Sequence, residues 1–396
     1  MSELATVQVS GKAHRAASQT RPWLHKDHVL GPLPENGPFV SLVDENALSL
    51  GFALLDKDDE HPLKLVSTAR TRDPIGLLRT RLERAMSRRK NDLMGADAYR
   101  LCHGEGDGVP RFFVDRFGDG LCITSVTPAM NEVARQLVQP LVDITGARVV
   151  VHYALRDHAE GTATRRQDAP FDCHVVHGDD PQVRFHHGGL IRQLDLTAGF
   201  HVPALTSRLD MQRYVRRWAR GQVLDVKCGF GGFGMQLADA GAKEVVFVDD
   251  ESSSLDDVQQ DAQTNGIPAA VRTVEQGALQ ALHSLDTKGE RFSVIVMHPA
   301  EVREGKDRRE AAEMRLQKLH KSALKLVGEG GIYVTWPGTT AVDQETFERI
   351  LTDAAQQGRK RLQVLSRMQA GPDHPVLVGM HDPSATTLLL RVLSTT

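Results

Sequence analysis

At 396 residues the chain is long enough for two or three domains, and 40% hydrophobic with 25% charged residues is ordinary globular composition. No apolar run approaches the roughly twenty residues that span a bilayer, and the opening MSELATVQVSG lacks the apolar core of a signal peptide, so a cytoplasmic protein with no membrane partner is expected. A formal net charge of −3 and a pI of 6.6 exclude nucleic-acid binding through bulk charge and leave it to local basic patches.

Up to about residue 75, short strand-like pieces such as PFVSLVD, ALSLGFALLD and PLKLVSTARTRD alternate with turns and show no long helical period, which predicts a compact β barrel. In IGLLRTRLERAMSRRKNDLM the apolar Ile75, Leu78, Leu82 and Met86 fit one helical face, while Arg79, Arg81, Arg84, Arg88, Arg89 and Lys90 lie elsewhere. A basic amphipathic helix is expected there. AYRLCHGEGDGVPRFFVDRFGDGLCITSV reads as a strand, a glycine-rich turn and a hairpin tipped by Gly118-Asp119-Gly120, followed by a helix in NEVARQLVQPLVDITG and a strand in RVVVHY. The stretch from His158 to Pro181 is polar and irregular. A linker is placed near Arg184, with strands around VRFHHGG and LIRQLDLTAGF. From about 208 onward helices and strands alternate, beginning with RLDMQRYVRRWARG, as in a parallel sheet with helices on both faces. The four cysteines, Cys102, Cys122, Cys173 and Cys228, show neither CxxC nor His pairing, so neither disulfides nor a metal site is expected.

The densest chemical signal is VLDVKCGFGGFG, then MQLADAGA, then KEVVFVDD. Val223, Leu224 and Val226 suit a buried parallel strand, and Asp225 sits near its carboxyl end, where open α/β sheets bind ligands. Gly229, Gly231, Gly232 and Gly234 allow close backbone approach and positive φ, and the following helix opens with free N–H groups. Asp249 and Asp250 end the next strand, where an acid can accept from ribose hydroxyls. Dinucleotides and S-adenosylmethionine both use this frame. A carboxylate at Asp225 would repel a pyrophosphate and welcome a sulfonium, which favours S-adenosylmethionine.

These pieces, with Arg21-Pro22-Trp23, TRDP at 71–74, AYRLCHGEGDGVPRFFVDRFGD at 98–119, TAGF at 197–200, FSVIVMHPA at 292–300, GEGGIYVT at 328–335 and DHPV at 373–376, give the chain a resemblance to the bacterial 23S rRNA cytosine-C5 methyltransferases. That resemblance covers almost the whole length. It implies an α/β protein with a small β-barrel PUA-like RNA-binding domain (1–75), a central mixed α/β domain (76–183) and a Rossmann-like class I methyltransferase domain (184–396). It further implies S-adenosyl-L-methionine held by Asp225, Cys228, Gly229, Phe230, Gly231, Asp249, Asp250 and Gln276, and rRNA as partner. A homodimer is compatible with the sequence and not required by it.

At several positions the chain departs from the family it resembles. Methylation at C5 uses a cysteine thiolate that adds to the base, and the family keeps it after the strand matching GGIYVT; this chain has Trp336-Pro337-Gly338. The family's Asp-Pro-Pro is His298-Pro299-Ala300, its Asp-Gln-Arg is Pro203-Ala204-Leu205, and its adenine-facing acid falls near Gln276 or Gly277, one residue from Glu275. His298 is then the residue expected nearest the substrate base, while His374 in DHPV is read as structural. Arg79, Arg84, Arg88, Arg89 and Lys90, with Arg213, Arg216, Arg217 and Arg220, form two cationic faces suited to RNA phosphates. Two readings stand side by side: a methyltransferase acting on rRNA, and a catalytically silent paralogue that binds rRNA during ribosome assembly.

Overall fold

The computed structural model describes residues 4–35, 37–93, 95–156, 171–199, 206–299, 308–338, 342–380 and 386–394. Two compact units share the chain: Met1–His186 with Leu194–Thr206 and Pro372–His381, and His187–Gln193 with Ser207–Gly371 and Asp382–Thr396.

The first unit begins with β1 (Ala5–Gln8), α1 (Gly11–Gln19), β2 (Trp23–Leu24), β3 (Phe39–Val43), β4 (Ser49–Leu55) and β5 (Leu63–Ser67), a five-stranded mixed sheet in the order β1-β3-β4-β5-β2. Val7, Val9, Leu24, Val40, Leu42, Ala53, Leu55 and Leu63 close its core. The helix α1 was not legible in the sequence: it is two turns long, too short for its buried His14 and Ala17 to establish a period, and Ser10 caps it by accepting from the Ala13 N–H at 3.4 Å.

Next come α2 (Pro74–Asp92), β6 (Ala98–His103), β7 (Phe112–Phe117), β8 (Gly120–Ser125), α3 (Pro128–Thr145), β9 (Val149–Leu155) and β10 (Phe171–His177), with the sheet ordered β10-β9-β8-β7-β6. Asp73 caps α2 from its own side chain and Pro74 opens it, and the helix buries Leu78, Leu82, Ala85 and Met86 against the sheet as its period predicts. The strand β10 corrects the irregular reading of His158–Pro181. It pairs antiparallel with β9 and exposes most of its residues; Phe171, Cys173 and Val175 alternate with Asp172 and His174 at the strand period, a signal too short to stand out from the polar stretch before it, and 157–170 lie outside the described residues.

β11 (Gln182–His187) and β12 (Leu190–Asp195) pair as the two strands predicted near the linker. The second unit then runs α4 (Leu209–Val215), β13 (Gln222–Val226), α5 (Gly232–Asp239), β14 (Glu244–Asp249), α6 (Ser252–Thr264), β15 (Ala270–Glu275), α7 (Ala278–Thr287), β16 (Phe292–Met297), α8 (Arg308–Leu326), β17 (Val327–Thr335), α9 (Gln344–Gln357), β18 (Lys360–Met368) and β19 (Thr387–Ser394). Its seven-stranded sheet has the order β15-β14-β13-β16-β17-β19-β18; the first five strands are parallel and β19 is antiparallel to both neighbours. One apolar layer packs α7, α8 and α9 on one face and another packs α4, α5 and α6 on the other, the doubly wound arrangement the alternation predicts.

Candidate functional site

Ligands of open α/β sheets bind beyond the carboxyl ends of the strands, where the strand order reverses. Here that point lies between β13 and β16, because β14 and β15 extend from one side of β13 while β16 and β17 extend from the other. The His298 N–H donates to the Val226 carbonyl at 3.0 Å and ties the two strand ends together.

The predicted glycine turn leads from β13 into α5. Gly229 has φ +50, and a Cβ placed there would meet nothing within 4 Å, so the backbone borders open space that a ligand can enter. Gly234 serves packing instead: a Cβ there would come within 2.2 Å of the Phe247 ring. Gly231 caps α5 with φ +67, Cys228 donates its N–H to the Val248 carbonyl, and Phe230 is buried with its carbonyl held by the Arg192 guanidinium.

Asp225 does not line the crevice as its place in the motif suggests. It is 2% exposed, and its Oδ2 accepts from the Gly234 N–H at 2.8 Å, so it anchors the first turn of α5 from below. Burial pushes its carboxyl up to about 7, against the Gly234 bond. Asp249, at the end of β14, is the acid on the open side. Its Oδ2 accepts from the Gly229 N–H at 2.9 Å, and its Oδ1 from the Asp250 N–H at 2.8 Å and from Lys227 Nζ at 3.0 Å. Burial works to raise this carboxyl, but the Gly229 bond and Lys227 outweigh it and hold it below its ordinary value. Asp250 is half exposed and also accepts from Lys227. At the end of β15, the Gln276 N–H donates to the Asp249 carbonyl at 2.9 Å while the side-chain Oε1 is buried with no hydrogen-bond partner. An orphaned buried acceptor two strands from the glycine turn matches what an adenine amino group needs.

On the substrate side, His298 is half-buried and its ring lies 4.6 Å from that of Trp336, centroid to centroid. Trp336 stacks on Phe233 at 5.5 Å, carries the Arg208 guanidinium at 4.3 Å, and is 2% exposed. The turn Trp336-Pro337-Gly338 is therefore part of the apolar layer, with the Gly338 α-carbon set against the Pro299 carbonyl. Ala300 and Pro203-Ala204-Leu205 lie outside the described residues. No cysteine is a ready nucleophile: burial raises the thiols of Cys102, Cys122, Cys173 and Cys228 alike, and Cys228 is raised further by Asp225 and Asp249.

The cationic faces are reduced by the structure. Arg89 is 2% exposed, its guanidinium forked onto Asp107 at 2.8 and 2.6 Å, so its assignment to an RNA-facing surface is corrected: the helix buries it. Arg88 is exposed but also bonds Asp107 at 2.7 Å, and Arg79 pairs with Glu83 at 3.2 Å. Arg84 and Lys90 are exposed and make no ion pair among the described residues. On the other cluster, Arg216 is held by Gln236 and Asp239, Arg213 pairs with Asp210, and Arg217 lies exposed over the Tyr214 ring at 3.9 Å.

Two contributions were missed from sequence. Lys227 stands inside the motif itself, and its proximity to Asp249 was discoverable, since strand ends β13 and β14 are neighbours in any such sheet. The Arg192–Asp261 pair, 2.5 Å apart and buried, is 69 residues apart in sequence and left no local signal. Among the described residues no cluster of three His, Cys, Asp or Glu side chains suits a metal ion, and no helix is long and apolar enough to cross a membrane.

Residues 199–357 match the Methyltransferase small domain family. Ribosomal RNA large subunit methyltransferase I of Aeromonas hydrophila is 26% identical over 287 residues, 71% of each chain, and that of Escherichia coli O139:H28 is 26% identical over 290 residues, 72% of this chain and 71% of the other. Among solved structures, a proposed SAM-dependent methyltransferase from Streptococcus mutans superposes with a TM-score of 0.77 at 16% identity, covering 98% of this chain and 99% of that one. A second, SMU.776, a proposed methyltransferase complexed with SAH, also gives 0.77 at 16% identity, covering 98% and 100%. The chain therefore has a Rossmann-like methyltransferase fold and is similar over most of its length to ribosomal RNA large subunit methyltransferases.

Proposed function

We propose that this chain is an S-adenosylmethionine-dependent methyltransferase acting on 23S rRNA, with 1–75 as a PUA-like RNA-binding module, 76–183 as the central domain and 184–396 as the methyltransferase domain. The observation that carries the reading is the acceptor set at the switch point: Gly229 bordering open space, Asp249 at the ribose position and the orphaned Gln276 Oε1 at the adenine position. The cofactor supplies the electrophilic methyl group. Asp249 and Gln276 hold the adenosine, the Gly229 backbone borders the methionine portion, and Asp225 keeps the turn in place from beneath.

The ancestral chemistry in this reading is cytosine-C5 transfer, but the turn that would carry the nucleophilic cysteine reads Trp336-Pro337-Gly338, and burial raises all four thiols. Transfer to an exocyclic nitrogen or a ribose oxygen needs only alignment and a proton acceptor, and His298 is the titratable side chain placed for it at the end of β16. The silent-paralogue reading is favoured by one observation, the burial of Trp336 against His298 and Phe233, which sets an indole beside the side chain this reading places nearest the base.

Calorimetry with S-adenosylmethionine separates the readings first: a Kd below the millimolar range is expected, and no heat at millimolar ligand rules out the enzyme. Mass spectrometry of rRNA from a deletion strain comes second. Loss of one methylated nucleotide supports catalysis, whereas an unchanged profile from a cofactor-binding protein leaves the assembly role.

A further inference from the structure

Lys227 follows β13 directly and holds φ +55, a left-handed backbone uncommon in residues other than glycine. Its ammonium group sits between two carboxylates, donating to Asp249 Oδ1 at 3.0 Å and to Asp250 Oδ1. The Lys227 side chain is 23% exposed and Asp249 only 5%, whereas Asp250 reaches solvent at 55%.

Counting donors shows why this matters for a ligand. A carboxylate offers about four acceptor positions. Asp249 already receives the Gly229, Asp250 and Glu251 backbone N–H groups, at 2.9, 2.8 and 3.2 Å, together with Lys227. Oδ2 takes only the Gly229 bond and can accept one ribose hydroxyl, whereas Oδ1 already has three donors, so a second hydroxyl must take the place of one of them. Three of the donors are backbone groups fixed by the turn. Lys227 alone sits on a flexible stem, and Asp250 gives it a second carboxylate to rest on once it releases the first.

We propose that Lys227 is a latch on the ribose acid: it rests on both Asp249 and Asp250, and it swings wholly to Asp250 when the adenosine of the cofactor binds, so that cofactor affinity is set by the cost of displacing it. This rests on the S-adenosylmethionine reading above. It goes beyond it by assigning to one residue, outside the set expected to bind the cofactor, the control of how tightly the site closes on its ligand.

The test is calorimetric titration of S-adenosylhomocysteine into the full chain and three variants. Lys227→Met removes the charge and keeps the bulk; Lys227→Gly does so with a residue that accepts φ +55 without strain, which guards against a folding defect. Both are expected to bind about tenfold tighter than the unmodified chain. Asp250→Asn removes the alternative resting place and is expected to bind several-fold more weakly. If both Lys227 variants bind equally or more weakly, Lys227 touches the ligand favourably and the latch is overturned, with the cofactor reading intact. Absence of binding in all four proteins at millimolar ligand overturns the cofactor reading itself.

Discussion

Arg89 with Asp107 in the first unit and Lys227 with Asp249 in the second are both cation–carboxylate pairs at a glycine-containing turn, and they are built to opposite ends. The Arg89 fork meets Asp107 in two parallel bonds, its Nε donates to the Arg100 carbonyl at 3.0 Å and its Nη2 to the Asp373 carbonyl at 2.8 Å, while Asp107 also accepts from the His103 N–H at 2.8 Å. Both side chains are buried and nearly every polar position is filled. Lys227 is a point charge on a flexible stem at the rim of the ligand crevice, shared between one buried and one exposed acid. A planar, always-charged fork suits a permanent scaffold, and a mobile ammonium suits a bond that must break.

The comparison breaks most sharply at Asp107. Asp107→Asn leaves the Arg89 guanidinium buried without its counter-charge, and a loss of about 3–5 kcal/mol in urea unfolding is expected. Lys227→Met is expected to change stability by about 1 kcal/mol or less. Equal losses would mean that the two pairs do the same job.

Buried histidines sharpen the contrast through pH. His320 in the core of the second unit bonds the Tyr333 hydroxyl at 2.6 Å through Nδ1, its Nε2 has no partner, and burial lowers its pKa to about 3 from 6.5. Because the unfolded chain takes a proton that the folded one refuses, the stability from keeping His320 neutral is complete above pH 6.5 and is lost as pH falls toward 3. Asp225, raised to about 7 by burial, works in reverse: its contribution is complete below its ordinary value of 3.8 and is lost as pH rises through 7. His320→Leu is therefore expected to flatten the acid limb of the stability profile by up to about 1.4 kcal/mol per pH unit, read from urea midpoints between about pH 4 and 6.5. An unchanged slope would place the acid sensitivity elsewhere, for example at His103 or His187, which burial lowers to about 2 and about 3.

The smallest stability effect is expected where the charges serve neither purpose. Arg84→Glu and Lys90→Glu on the exposed side of α2 should change unfolding free energy by no more than about 0.5 kcal/mol. If these side chains touch phosphate, binding to an rRNA fragment weakens and the slope of log K against log salt falls by about 0.7–0.9 for each phosphate no longer neutralised. A slope that does not move removes this face from RNA binding.

How much could be read from the chain differs with the range of the interaction that decides each feature. The apolar face of α2 was legible because Leu78, Leu82 and Met86 recur at the helical period, and the β13-turn-β14 unit because strand, glycine turn and acid all lie within 28 residues. β10 escaped because its alternation of Phe171, Cys173 and Val175 spans only five residues at the end of a polar stretch, and Val175 and Val176 stay exposed on an edge strand. The fate of Arg89 was not legible: nothing at position 89 announces that Asp107, 18 residues on, and Asp373, 284 residues on, will converge there and draw the guanidinium inward. Likewise the sequence set both acids against the ligand, Asp225 beside the sulfonium and Asp249 on the ribose, and only the packing of α5 over Asp225 separated a buried turn anchor from the acid at the open edge.

By itself the order of residues determined most of the elements, though not α1 or β10, and with them the doubly wound sheet and the edge at which a ligand enters, since these follow from periodicity and from glycine and proline chemistry acting over a few residues. Tertiary structure alone decided which charges are used up internally, which acceptor is left over at Gln276, and that Lys227 lies across Asp249, because each depends on desolvation and on partners that chain-distant elements bring together.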